Sequence, residues 1–234
     1  MLFNSIEFMG VFLPVTLVGY FLTRRFAPWS ISVCWLVGAS LVFYGCWNPF
    51  YVPLLVVSVL INFKIGEWLL NSTTKHTRRV LLGVGIGANL MCLSWFKYSY
   101  FFVANLTSIS GVYLALPNII LPLGISFFTF QQIAYLIDCH REEAEKTNFL
   151  SYCLFVTFFP QLIAGPIVHH KEMLPQFSGK AKFLFKRSDL AVGFTIFAIG
   201  LFKKVVIADG IAEFATPVFD QAGGGHEITF FSAW

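Results

Sequence analysis

The chain has 234 residues, a formal net charge of +4, and a composition that is 57% hydrophobic and only 12% charged. Soluble domains are about a quarter charged, so the composition excludes a soluble domain, which could not hide this much apolar surface. Residues 26–63 and 98–137 carry no acidic residue, lysine or arginine, and runs of about 20 apolar residues are typical of membrane helices. We therefore predict an all-α, polytopic integral membrane protein in contact with lipid, and no nucleic-acid partner.

Hydropathy predicts about six membrane helices and one further, interrupted segment. In chain order the helices fall at 6–23, 30–47, 50–70, 80–104, 117–137 and 190–212. Asn48–Pro49 separates the second helix from the third, because proline removes a helical hydrogen-bond donor and favours a turn.

The positions of the basic residues predict which loops face the cytoplasm. Arg24 and Arg25 follow the first helix, and "KHTRR" precedes the fourth. Short loops rich in lysine and arginine stay on the cytoplasmic side. The N-terminus is therefore predicted outside, with loops 71–79, 138–148 and 169–189 in the cytoplasm.

The interrupted segment, 149–168, contains "FFPQLIAGPIV". Its clean helical part, 149–159, rises only about 17 Å at 1.5 Å per residue, against a hydrocarbon core of about 30 Å. Four residues atypical of a lipid-facing helix then follow: Pro160, Gln161, Gly165 and Pro166. Either the chain turns back here or lines a cavity, as irregular backbone at membrane depth requires, or a kinked span carries the basic loop 169–189 outside.

Lys203 and Lys204 lie inside the last predicted helix. A lysine in a span costs about 2.5–3.5 kcal/mol on insertion scales, so it faces the bundle interior or extends to the headgroups. Neighbouring residues point about 100° apart. Either one lysine faces inward and the other outward, or both extend from an interfacial helix.

Two glutamines, Gln131 and Gln132, fall in the middle of the apolar run "LPLGISFFTFQQIAYLID", near Ser126 and Thr129. Lipid would penalise this polar content. The side chains either hydrogen-bond between helices or line a path for a polar substrate.

The run "GVGIG" sits inside a hydrophobic helix, and no strand precedes it, so it does not indicate a nucleotide loop. The spacing of Gly83 and Gly87 instead predicts close helix packing of the GxxxG type.

No Ser-His-Asp, HExxH or P-loop pattern is present, and the five cysteines lack metal-ligand spacing, so no metal site is predicted. Broken backbone beside polar helix residues suits an intramembrane enzyme, a polar-solute transporter or a non-catalytic membrane scaffold. A transporter should show internal repeats and paired broken helices, whereas the sequence has one broken segment and no evident repeat.

Three runs, "LPLGISFFTFQQIAYLIDCHR", "NFLSYCLFVTFFPQLIAGPIVHHKEMLPQF" and "DLAVGFTIFAIGLFKKVVIAD", resemble the membrane-bound O-acyltransferase family, and within it the bacterial alginate O-acetyltransferase branch. The resemblance is strong over 120–209. The N-terminal part is similar in hydropathy and in runs such as "FNSIEFMGVFLPV" and "SLVFYGCWNP". It implies a ring of membrane helices around a thin core in the bacterial inner membrane. A tunnel there joins a cytoplasmic donor side to an extracytoplasmic acceptor side.

The resemblance also implies the chemistry. An acyl group, from acetyl-CoA or a related donor acting as substrate and not as a bound cofactor, passes to a hydroxyl of an exported polysaccharide such as alginate. Periplasmic polysaccharide-acetylation proteins are the implied partners.

The family's catalytic histidine lies beyond Trp234, and no histidine here matches its motif. The resemblance thus implies that 1–234 is the N-terminal part of a single membrane-embedded domain, without the C-terminal half, without a catalytic residue, and inactive alone. The residues carried over as candidate core or tunnel lining are Gln131, Gln132, Pro160, Gln161, Gly165, Pro166, Lys203 and Lys204.

Overall fold

The computed structural model describes residues 2–111, 119–144, 146–162, 170–177 and 186–224. All regular elements among these residues are helical, which confirms the all-α prediction. The helices are α1 (Leu13–Phe26), α2 (Trp29–Gly45), α3 (Val52–Asn71), α4 (Lys75–Ser110), α5 (Ile125–His140), α6 (Phe149–Thr157), α7 (Phe159–Leu162), α8 (His170–Met173), α9 (Arg187–Phe202) and α10 (Asp209–Gly223). Short π-helical or 3-10 turns occur at Phe8–Phe12, Pro49–Tyr51, Leu174–Phe177 and Lys203–Ala208.

Three of the described helices are long and apolar enough to cross a membrane: Pro49–Asn71, Lys75–Ser110 and Arg187–Gly223. Helix α2 is apolar but shorter. The chain divides into two compact units, one formed by Phe12–Lys182 and the other by Leu2–Val11 with Phe183–Trp234.

Helix α4 extends beyond the predicted 80–104 at both ends. Its start is capped by Thr74, whose Oγ1 accepts a backbone N–H of the first turn, as N-cap hydroxyls do. Near the other end, the Ser110 hydroxyl donates to the Leu106 carbonyl of the same helix (2.7 Å), so this polar side chain is paired within the helix. Gly111 then ends the helix at φ 67, a left-handed conformation that glycine adopts without steric cost.

The start of α5 is a second boundary that differs from the prediction, because the predicted helix 117–137 begins too early. Residues 119–124 are not helical, and α5 begins at Ile125. Gly124 before it has φ 69, in the left-handed region that a right-handed helix cannot include. Residues 112–118 lie outside the described part of the chain.

The core of the larger unit is built around the short helices α5 and α6. Helix α6 packs against α2, α3 and α5, while α5 also packs against α4. Every residue of α6 from Tyr152 to Thr157 is buried. A helix that is apolar all round is expected to be surrounded by protein or lipid, and here protein surrounds it.

Two glycines let α3 and α4 approach α5, and they are not the pair predicted from the GxxxG spacing. A Cβ on Gly66 would lie 2.6 Å from Cε1 of Tyr135, and one on Gly85 would lie 2.6 Å from Cδ1 of Leu136. A Cβ on Gly83 or Gly87 would meet no atom of a neighbouring element within 4 Å among the described residues. The packing prediction for this stretch is therefore wrong in register by two residues.

Replacing Gly66 with alanine is expected to lower the free energy of unfolding by about 1–2 kcal/mol, because the buried Tyr135 ring is rigid and overpacking strains the core. Gly83→Ala is the matched control. It lies on an exposed helix face and should be neutral or stabilising by up to about 1 kcal/mol through helix propensity. Unfolding of the chain in mixed dodecylmaltoside–SDS micelles, followed by far-UV circular dichroism, measures both. Equal losses in the two variants would contradict the assigned α3–α5 contact.

Candidate functional site in the helical core

The helix break predicted near Pro160 occurs at Phe158. Helix α6 ends at Thr157, Phe158 takes φ −54 and ψ 109, and α7 begins at Phe159. Pro160 is thus the second residue of α7, in a first turn where its missing N–H costs nothing. Proline here permits the new turn, while the change of ψ at Phe158 redirects the chain.

Ser40 of α2 forms a hydrogen bond with the backbone N–H that this break leaves without a partner in its own helix. Its hydroxyl accepts a hydrogen bond from the N–H of Phe159 (3.2 Å) and donates to the Leu36 carbonyl (2.8 Å). The Phe159 ring is buried against the rings of Phe12 and Phe43, at centroid distances of 5.2 and 5.4 Å. The break therefore lies inside protein, where irregular backbone at membrane depth is tolerated.

Gln161 follows the break and is partly buried. Its Oε1 is buried without a hydrogen-bond partner among the described residues. The next residue, Leu162, places its carbonyl oxygen where a Cβ on Gly124 would be 2.5 Å away, so the start of α5 adjoins the end of α7. Gly165 and Pro166, two of the predicted core residues, lie outside the described residues.

Gln131 and Gln132 are both buried, on the side of α5 that faces other helices. Gln131 donates from Nε2 to the Phe155 carbonyl of α6 (2.9 Å), and Gln132 accepts at Oε1 from the Ser58 hydroxyl of α3 (3.1 Å). The Nε2 of Gln132 has no partner among the described residues. Interhelical hydrogen bonding is thus one role of this pair, and a donor remains available.

A pair of asparagines extends this polar contact across three helices. Asn62 of α3 and Asn89 of α4 are buried, and their amides exchange hydrogen bonds of 3.3 and 2.6 Å. Asn62 also donates to the Ser58 carbonyl (3.0 Å), and Asn89 to the Gly85 carbonyl (2.8 Å). Together with Gln132 these residues form a polar chain, defined here as Ser58, Asn62, Asn89 and Gln132.

The polar chain contains amides and one hydroxyl but no ionisable group. It can bind and orient a hydroxyl-bearing molecule or water, whereas it cannot itself take a proton as a general base. Buried donors and acceptors are rarely left unpaired, and Nε2 of Gln132 and Oε1 of Gln161 are two such atoms without a partner among the described residues. Among the described residues no group of three His, Cys, Asp or Glu side chains could hold a metal ion.

Lys203 and Lys204 lie in the other unit, in the π-helical turn between α9 and α10. Both are exposed within that unit, and Lys204 pairs with the carboxylate of Asp209. The ion pair neutralises one of the two charges that the sequence analysis placed inside a span. π-helical turns often occur at functional positions in helices.

Sequence reasoning identified the glutamines but missed Ser40, Ser58, Asn62 and Asn89. A signal for three of them was present. Ser58 and Asn62 are four residues apart on one helix face, and Asn62 and Asn89 each interrupt an apolar run. Such amides are unfavourable in lipid and pair inside a bundle.

Fold and site together define a helical membrane protein whose interior carries a buried chain of amides beside a broken helix. The membrane-bound O-acyltransferase family matches residues 93–224. The chain belongs to this family.

Similar proteins carry related names. The chain is 41% identical to the peptidoglycan O-acetyltransferase of Helicobacter pylori, over 100% of the chain and 49% of that protein. It is 36% identical to the probable alginate O-acetylase AlgI of Pseudomonas putida, over 94% of the chain and 45% of that protein. The corresponding protein of Azotobacter vinelandii is 34% identical, over 100% of the chain and 46% of its own length. The chain thus spans about half the length of these relatives, and no solved structure matches it.

Proposed function

We propose that this chain forms part of a membrane O-acyltransferase that acetylates an exported polysaccharide. The observation that carries the proposal is similarity along the whole chain to proteins named for O-acetylation of two polymers, peptidoglycan and alginate. The two names share the reaction and the polysaccharide class of acceptor. The proposed reaction is therefore O-acetylation of a polysaccharide, with alginate and peptidoglycan as alternative acceptors.

In the proposed reaction a polysaccharide hydroxyl oxygen attacks the acyl carbonyl carbon of a thioester donor of the acetyl-CoA class. The new C–O bond forms as the C–S bond breaks, the thiolate leaves, and a base takes the hydroxyl proton and returns it to the thiolate. Such a base contributes about 10²–10⁴-fold, and we place it outside residues 1–234. The role proposed for the polar chain and Gln161 is to line the path of the acceptor or donor and to hold hydroxyl groups or water.

A chimera tests the proposal. Residues 1–234 replace the matching half of the Helicobacter pylori relative, and the fusion is expressed in a strain deleted for its own peptidoglycan O-acetyltransferase. We expect the chimera to restore O-acetyl groups, measured by release of acetate from purified peptidoglycan. A parallel fusion with the matching half of the Pseudomonas putida relative, assayed on alginate, covers the second acceptor.

Residues 1–234 expressed alone should restore no acetylation, because the proposed base is then absent. Restoration by 1–234 alone would show that the catalytic machinery had been placed in the wrong half. Two chimeras that insert in the membrane at normal levels, yet acetylate neither polymer, would contradict the acyltransferase role and favour a transporter or scaffold.

We further infer a multi-pass topology of about six spans in the bacterial inner membrane, with the N-terminus outside. Support comes from the three long apolar helices and from basic residues at the start of α4 and the end of α1. Periplasmic polysaccharide-acetylation proteins would then meet the protein on its outer face, next to the acceptor.

Single cysteines introduced into a cysteine-free chain test this topology. Residues 76 and 142 are expected to react with a membrane-impermeant maleimide only after the membrane is opened, because basic loops remain cytoplasmic. Residue 180, outside the described residues, should behave in the same way if the chain turns back after the break. Labelling of residue 180 in intact spheroplasts, with residues 76 and 142 protected, would show a complete span instead.

A further inference from the structure

A cleft of about 120 Å³ opens between the end of α3, the middle of α5 and the segment that precedes α6. Its lining residues are Phe63, Glu67, Leu70, Asn71, Tyr135, Lys146 and Thr147. We call it the α3–α5 cleft. On this measure one water needs about 10–15 Å³, so the cleft has room for a small polar group.

The α3–α5 cleft lies at the end of a membrane-length helix. Its rim residue Asn71 is the last residue of the candidate span Pro49–Asn71. Trp68, one turn earlier, is 56% exposed, as tryptophans at the membrane–water boundary are. We therefore place the cleft at the level of the lipid headgroups, with Phe63, two turns before Asn71, as its lining residue furthest from the helix end.

Residues 141–144, which follow α5, are held in place by its last turn and by α4. The carbonyl of Asp138 accepts the backbone N–H groups of Glu143 and Ala144, at 2.9 and 3.2 Å. Arg78 of α4 donates to the carbonyls of Cys139 (3.2 Å) and His140 and pairs with Glu142. Residues 141–144 are thus anchored to the last turn of α5 and to α4.

The described lining of the cleft carries one cation, Lys146, and one anion, Glu67. Lys146 donates to Oδ1 of Asn71 (3.0 Å), which uses one of the three donors of an ammonium group. Glu67 pairs with Lys64 at 2.8 Å, and these side chains are 44% and 60% exposed. Exposed pairs of this kind contribute little to stability, so Glu67 can exchange Lys64 for another cation at little cost.

We propose that the α3–α5 cleft binds the headgroup of a phospholipid that carries both a phosphate and a primary ammonium, with the phosphate at Lys146 and the ammonium at Glu67. A lipid is the ligand we propose because the cleft lies at the end of the candidate span Pro49–Asn71, beside the exposed Trp68. This site is independent of the proposed acyl transfer, and its test measures binding alone.

The experiment titrates the chain, purified in dodecylmaltoside, with phosphatidylethanolamine, phosphatidylcholine or phosphatidylglycerol and counts bound lipid by native mass spectrometry. Phosphatidylethanolamine is expected to bind about fivefold more tightly than phosphatidylglycerol, the effect of about one well-placed charge at a membrane surface, and more tightly than phosphatidylcholine because its ammonium N–H groups can donate to Glu67. Phosphatidylcholine lacks the ammonium N–H groups, and phosphatidylglycerol lacks the ammonium altogether. The soluble probe glycerophosphoethanolamine should bind far more weakly than the lipid.

Two variants and two matched controls locate the site. Lys146→Gln should weaken phosphatidylethanolamine binding about fivefold, whereas Glu67→Gln should remove the preference over phosphatidylglycerol and leave phosphate binding intact. Lys75→Gln and Glu172→Gln remove the same charges at exposed positions outside the cleft and should bind like the unaltered chain. Equal binding of the three lipids, equal binding of the soluble headgroup, or equal losses in the control variants would each overturn the proposal. The lipid comparison needs no variant and so does not depend on variant folding.

Discussion

Replacing Asn89 with leucine is expected to lower the free energy of unfolding of the chain by about 2–3 kcal/mol. The substitution removes both hydrogen bonds between the side-chain amides of Asn89 and Asn62, and it leaves Oδ1 of Asn62 buried without its donor. Interhelical hydrogen bonds in membranes average about 0.6 kcal/mol, and a buried orphan acceptor adds about 1–3 kcal/mol. Unfolding in mixed dodecylmaltoside–SDS micelles, followed by far-UV circular dichroism, gives the value.

Asn105→Leu is the matched control on the same helix. Asn105 is exposed, and its amide donates to the carbonyl of Phe101 within α4, so its loss should change stability by less than about 0.5 kcal/mol. The double variant Asn62→Leu/Asn89→Leu should cost less than the sum of the single variants, because no orphan amide remains. Strict additivity, or an Asn105 effect as large as that of Asn89, would refute the asparagine pair as an interhelical contact.

Replacing Ser40 with alanine is the second substitution with a large expected effect, a loss of about 2 kcal/mol in the free energy of unfolding. The hydroxyl accepts the N–H of Phe159 at the helix break, and an unpaired backbone donor in the core costs about 1–3 kcal/mol. The consequence should be local as well. Hydrogen exchange at the Phe159 amide, measured by NMR on the labelled chain, should become faster than in the unaltered protein.

Ser32→Ala separates this effect from the general cost of removing a serine from α2. Ser32 is buried like Ser40, but its Oγ has no hydrogen-bond partner among the described residues. Removing an unsatisfied buried hydroxyl should be neutral or slightly stabilising. An equal loss in the free energy of unfolding for Ser32→Ala and Ser40→Ala would contradict the role assigned to the hydrogen bond between Ser40 and Phe159. Ser40→Ala placed in the chimera proposed above extends the test to function, because a displaced α7 should also lower acetylation.

The boundaries of the elements show where local sequence was insufficient. The sequence predicted a break near Pro160, yet the turn lies at Phe158, since proline is accommodated in the first turn of α7. The GxxxG spacing pointed to Gly83 and Gly87, whereas Gly85 adjoins Leu136. In both cases the residue type correctly indicated the feature, a helix break or a close-packed glycine. Contacts with a neighbouring helix determined at which residue it occurs.

The sequence by itself determined the helical class, the membrane setting and the burial of Gln131 and Gln132, since long uncharged runs and polar residues inside them are properties of local composition. The family followed from the resemblance of three long runs. Only the tertiary structure decided which polar groups pair. Asn62 and Asn89 are 27 residues apart, and Ser40 and Phe159 are 119 apart. Hydrogen bonds over such separations depend on which helix faces meet, because a buried polar group bonds to whichever partner packing brings within reach, and no local pattern specifies that partner.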